Sequence, residues 1–73
     1  MRVIDSEAFR GCTSLTNVII PAGVKSIEMD SFDGCIRLTT VYYTGTEEQW
    51  NAISVEDGNA PLTNAAIVYN YNP

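Results

Sequence analysis

Seventy-three residues bound one small domain, and a chain of this size buries only a modest fraction of its surface. Nine acidic residues against four basic ones, with a pI near 4.2, argue against nucleic acid or an anionic membrane as partner, since both require clustered Lys and Arg. The sequence has no histidine and no run of about 18–20 apolar residues, which excludes His-based catalytic chemistry and membrane insertion by a spanning helix.

Residues 2–12 read as an outer arc, with Ile4 and Phe9 as inward anchors and Asp5, Ser6, Glu7 and Arg10 between them. Gly11 turns the chain. The spacing Leu15, Val18, Ile20 then predicts a strand whose Asn17 and Ile19 point outward, the period-two pattern of a sheet face. Pro21 ends the strand, and Ala22-Gly23 makes the bend.

The cycle then begins again. Sliding residues 1–23 over 24–46 matches Ile4 with Ile27, Phe9 with Phe32, Gly11 with Gly34, Cys12 with Cys35, Leu15 with Leu38, Thr16 with Thr39 and Val18 with Val41. A fixed period whose retained positions are mostly apolar predicts coils stacked to share one core, that is, a repeat solenoid. Strands one whole coil apart run in the same direction. The expectation is a mainly β fold with a short parallel sheet from 17–20, 40–43 and 65–69, joined by turn-rich outer arcs with brief strands.

The third arc departs from the pattern. Thr46-Glu47-Glu48-Gln49-Trp50-Asn51-Ala52-Ile53 predicts a short helix, with Thr46 and Gln49 as a capping box and Glu47 and Glu48 at the positive end of its dipole. At the constant period Trp50 falls under Ile4 and Ile27. After a slip of one residue Gly58 falls under Gly34, Asn59 under Cys35 and Leu62 under Leu38. Residues 47–73 thus read as a degenerate capping repeat after repeats 1–23 and 24–46, all in one domain. Pro61 and the tail from Asn70 to Pro73 discourage further pairing. No comparable cap precedes the first coil. Residues 1–73 are therefore expected to be the C-terminal end of a longer array, or to form a weak homodimer through the uncapped N-terminal face.

Cys12 and Cys35 hold the same repeat position, about 5 Å apart if stacked at one strand spacing. That distance permits a disulfide, but parallel Cβ vectors suit its torsion poorly, and the reading is two buried free thiols. No second cysteine pair completes a zinc site.

A binding surface is expected on the outward strand positions Asn17, Ile19, Thr40, Tyr42 and Thr44, continued by Ala66 and Val68. Tyr42 has the amphipathic character that interfaces favour, but a cross-strand pair with Ile19 serves the sheet equally well. The carboxylates stack too, Asp5 with Glu28 and Glu7 with Asp30, close to Asp33. Arg10 in register with Asp33, and Arg2 with Lys25, make this a mixed-charge solvated face rather than a calcium loop. The cysteines sit at core positions and the acidic residues recur with the repeat, so no catalytic constellation, cofactor or metal site is expected.

The run from Ala8 to Pro21, with Val24 and Ile27 after it, resembles the BspA-like, treponemal-type leucine-rich repeat. Val41 to Thr46, Gln49-Trp50, Ile53, Asn59, Leu62, Ala65 and Tyr69 look like the closing segment of such arrays. The generic consensus places Asn or Cys where this chain has Gly23, so the asparagine ladder of other subclasses is missing. The resemblance implies a leucine-rich-repeat fold and a secreted or cell-surface protein of a bacterium or mucosal protist. Its implied role is adhesion or binding to a protein ligand or host surface component. The alternative is a purely structural cap whose array binds its ligand elsewhere.

Overall fold

The computed structural model describes residues 2–72. The apolar anchors of each coil draw the chain into two parallel sheets of three strands. In chain order the strands are β1 (Val3–Ile4), β2 (Asn17–Ile20), β3 (Ser26–Ile27), β4 (Thr40–Tyr43), β5 (Ser54–Val55) and β6 (Ala66–Val68). One sheet runs β1-β3-β5 and the other β2-β4-β6, so each coil contributes one strand to each. The expected long-strand sheet is present, its last member trimmed to Ala66–Val68, and the brief strands of the outer arcs form a sheet of their own.

Between the sheets lie Ile4, Ile20, Val24, Ile27, Phe32, Cys35, Leu38, Val41, Tyr43, Ile53 and Leu62, all buried. Burying each large side chain contributes about 1.5–3 kcal/mol. Phe9 stacks on Phe32 with ring centroids 5.0 Å apart and planes 11° from parallel, so the aromatic anchors of coils one and two form a two-step ladder.

The 23-residue period holds between the first two coils, where Ile4 pairs with Ile27 and Asn17 with Thr40. The third coil breaks it. Ile27 pairs with Val55, an offset of 28, and Thr40 pairs with Ala66, an offset of 26. The extra residues are taken up by a helix, α1 (Glu47–Asn51), formed where the sequence predicts one. Its capping box is complete: the Gln49 N–H donates to Thr46 Oγ1 at 3.2 Å, and the Thr46 N–H donates to Gln49 Oε1 at 2.8 Å.

This insertion corrects four expectations. Val55, not Trp50, lies beside Ile27; Trp50 is half-buried and meets Tyr43 edge to face, centroids 5.1 Å apart. Leu62 is buried and takes the place of Cys35, its N–H donating three residues back to Asn59 as that of Cys35 does to Phe32. It sits in a second helix, α2 (Ala60–Thr63), which the sequence does not predict; proline is tolerated in a first helical turn, where its missing N–H has no partner to lose. Gly58 lies against Asp30, not Gly34. A Cβ there would fall 1.8 Å from Asp30 Oδ1, and the backbone at φ +85° is left-handed.

Asn59 likewise has no part in the cysteine ladder. It is buried and does for coil three what Ser31 does for coil two. The single Ser31 O–H has the carbonyls of Glu28 (2.6 Å) and Asp5 (2.8 Å) within reach and shares its proton between them; the two N–H of Asn59 Nδ2 donate to those of Glu56 and Glu28, both at 2.9 Å. Asn59 Oδ1 also accepts the Phe32 N–H at 2.9 Å. Each of these side chains satisfies carbonyls of its own coil and the preceding one, so a short polar ladder pins the outer arcs together. The tail is paired with coil two: the Asn70 N–H donates to the Gly45 carbonyl (2.8 Å) and the Tyr71 N–H to that of Tyr43 (2.9 Å).

Candidate functional site

Because strand side chains alternate, every second residue of β2, β4 and β6 faces away from the core, and parallel register stacks those residues in rows. One row is Asn17, Thr40 and Ala66; the next is Ile19, Tyr42 and Val68. Asn17, Ile19, Ala66 and Val68 are exposed, with 49% of Ile19 and 41% of Val68 open to solvent, while Thr40 and Tyr42 are half-buried. Six of the seven residues expected to share a face therefore do so. The seventh, Thr44, follows the strand, and its Oγ1 accepts the Ala22 N–H at 2.8 Å, a bond that secures the bend after β2.

Tyr42 is less open than its place in the pattern suggests. The ring of Tyr71 lies against it, centroids 4.7 Å apart at 42°, so the returning tail covers one flank. Tyr71 therefore belongs to this face, and sequence reasoning missed it. Its signal, an aromatic residue spaced like those of a strand, was masked by the flanking asparagines and Pro73. No charged residue stands on the rows. In a chain of net charge −5 the charges are carried by the outer arcs, the bends and α1, leaving an uncharged strip in which an apolar row lies beside a largely polar one.

The outer arcs are different in kind. Arg10 reaches Asp33 across the coils at 3.5 Å and bonds Glu7 on its own coil, all three side chains about half exposed, as expected of a solvated mixed-charge face. Such pairs contribute about 0–1 kcal/mol. Among the described residues no group of three or more Cys, Asp or Glu side chains converges on a point.

Neither thiol is bonded: Cys35 is buried, and Cys12 is half-buried rather than buried as expected. The Cys35 Sγ–H donates to the Phe9 carbonyl at 3.0 Å, and burial raises this thiol above its ordinary 9.0. Burial also pushes up the Tyr43 phenol, whose hydroxyl has no hydrogen-bond partner among the described residues. A cleft of about 90 Å³ opens between the bend after β2 and α1, lined by Ala22, Val24, Lys25, Gln49, Ala52 and Ile53. Small-molecule sites span about 300–1,000 Å³, so a protein-sized surface fits the sheet better than a metabolite fits this cleft.

The model of a BspA-type leucine-rich repeat region, six copies long, matches residues 1–56. The chain belongs to this family. The BspA-type match ends just after β5, so α2, β6 and the returning tail, which carry Val68 and Tyr71, lie beyond it. No curated protein and no solved structure matches the chain. No helix of the described residues is long and apolar enough to cross a membrane. Membership in a leucine-rich repeat family suggests a protein-interaction repeat module.

Proposed function

We propose that the chain is a non-catalytic module of a bacterial cell-surface or secreted leucine-rich repeat protein, acting in adhesion or protein binding through the face formed by β2, β4 and β6. On this reading residues 1–73 form one domain of three repeats, 1–23, 24–46 and 47–73, and are coils of a solenoid. The observation that carries it is the uncharged strip, where parallel register stacks Ile19, Tyr42 and Val68 beside the row of Asn17, Thr40 and Ala66. A rigid sheet with a partly exposed apolar row and a polar border is the composition of an interface centre and its rim. Asn17, Ile19, Thr40, Tyr42, Ala66 and Val68 are the contact residues, and Thr44 holds the edge.

A second reading is favoured by Tyr71. Its packing on Tyr42, together with Leu62 and Ile53 closing the far end of the core, suits a terminal cap that leaves ligand contact to other coils. The half-buried Phe9, Cys12, Leu15 and Val18 of coil one form the surface on which such a coil, or a second copy of this chain, would stack.

The two readings separate on an array of purified secreted and cell-surface proteins probed with the wild type, Ile19→Asp, Tyr42→Ala and an outer-arc control, Glu28→Ala. Binding abolished by the two sheet-face changes and kept by the control supports the module. Binding untouched by Ile19→Asp and Tyr42→Ala, with a lowered melting temperature for Tyr42→Ala, assigns the face to stability and leaves the cap.

A further inference from the structure

The sheet face makes no use of the chain's two thiols, yet the fold brings them together. Cys12 and Cys35 stand at equivalent corners, each N–H donating at 3.1 Å to the carbonyl of the phenylalanine three residues before it. Each follows a glycine in the left-handed region, Gly11 at φ +75° and Gly34 at φ +81°. The two glycines let the coils close up: a Cβ on Gly34 would lie 3.4 Å from the Cα and N of Gly11. A bond between coils, from the Gly11 N–H to the Asp33 carbonyl at 2.8 Å, holds that approach.

The corner lies outside every strand. Its side chains are therefore not fixed in a strand ladder, and the adjustment that brings two sulfurs to bonding geometry falls on a turn rather than on a sheet. The Phe9 carbonyl accepts both the Cys12 N–H at 3.1 Å and the Cys35 Sγ–H at 3.0 Å, so the buried thiol of coil two lies against the backbone of Cys12. The pair is also unequal in access, Cys12 half-buried and Cys35 buried with its Sγ–H on the Phe9 carbonyl. A half-exposed thiol is reachable by a small reagent, and a buried one beside it is placed to resolve the product.

We propose that Cys12 and Cys35 form a redox pair that closes into a disulfide between coils one and two on exchange with a small disulfide of the glutathione class. The Cys12 thiolate attacks one sulfur of that disulfide and expels the first small thiol, leaving a mixed disulfide on Cys12. The Cys35 thiolate then attacks the Cys12 sulfur and expels the second. Two electrons pass from the protein's sulfurs to the reagent's, and the two protons given up by the cysteines end on the two released thiols. The bond fastens coil one to coil two.

The test is to equilibrate the native chain with glutathione disulfide, alkylate with iodoacetamide and read the intact mass. The expected product has lost two hydrogens, carries neither glutathione nor alkyl groups, and melts several degrees above the reduced chain. Cys35→Ser is expected to stop at one glutathione on Cys12. Two alkylated thiols, a glutathione adduct persisting on the wild type, a bond between two chains, or a bond that forms only in urea would each overturn the proposal. Because the deciding readout is on the wild type, it holds whether or not Cys35→Ser folds.

Discussion

Phe9 and Phe32 are the same residue at the same point of successive coils, as are Leu15 and Leu38, Val18 and Val41, and the two cysteines. The first of each pair is half-buried and the second is buried. Chemistry does not distinguish them; neighbours do. Among the described residues coil two is covered by a coil on each side and coil one on one side, so identical side chains contribute unequally to the core these residues share. A repeat position is worth what its stacking partners make it worth.

The comparison is easiest to break with matched truncations. Phe32→Ala is expected to cost about 3–5 kcal/mol, and Phe9→Ala roughly half as much, because its ring already has one face towards solvent. Against a net stability on the order of 5 kcal/mol, the first change leaves about 0–2 kcal/mol, at the edge of unfolding, and the second leaves the chain well folded. Urea titrations of the two variants measure the difference; equal midpoints would mean that coil one is covered in solution. A smaller effect sharpens the same point at the other end. Asn59→Ala strips the Phe32 N–H of its acceptor and two carbonyls of their donor, at a cost of about 2–3 kcal/mol. A midpoint within error of the wild type would show that the third coil keeps its place without the polar ladder.

How far this was legible in the sequence follows the same division between coils. Coils one and two share so many side chains, from Ile4 and Ile27 to Val18 and Val41, that the period, the strands Asn17–Ile20 and Thr40–Tyr43 and the outward rows could be read directly. The capping box of α1 was legible because Thr46 and Gln49 act locally. The third coil was misaligned because it keeps the geometry while changing the letters. Val55 stands for Ile27, Asn59 for Ser31 and Leu62 for Cys35, at offsets that α1 shifts away from 23. A match sought by identity therefore sets Gly58 under Gly34, and a constant period sets Trp50 under Ile27, where the backbone puts neither. Of the face, the alternation gave six residues, and the missing Tyr71 depends on a tail that doubles back onto β4, a long-range contact without a local pattern.

The most direct test of the unequal-coil account is native-state hydrogen exchange, residue by residue, at a dilution where sedimentation gives a monomer. The account predicts that amides of β2 exchange through local openings of coil one, well ahead of those of β4, whose exchange requires near-global unfolding. Equal, slow exchange in β2 and β4 would contradict it, showing the first coil to be as firmly held as the second.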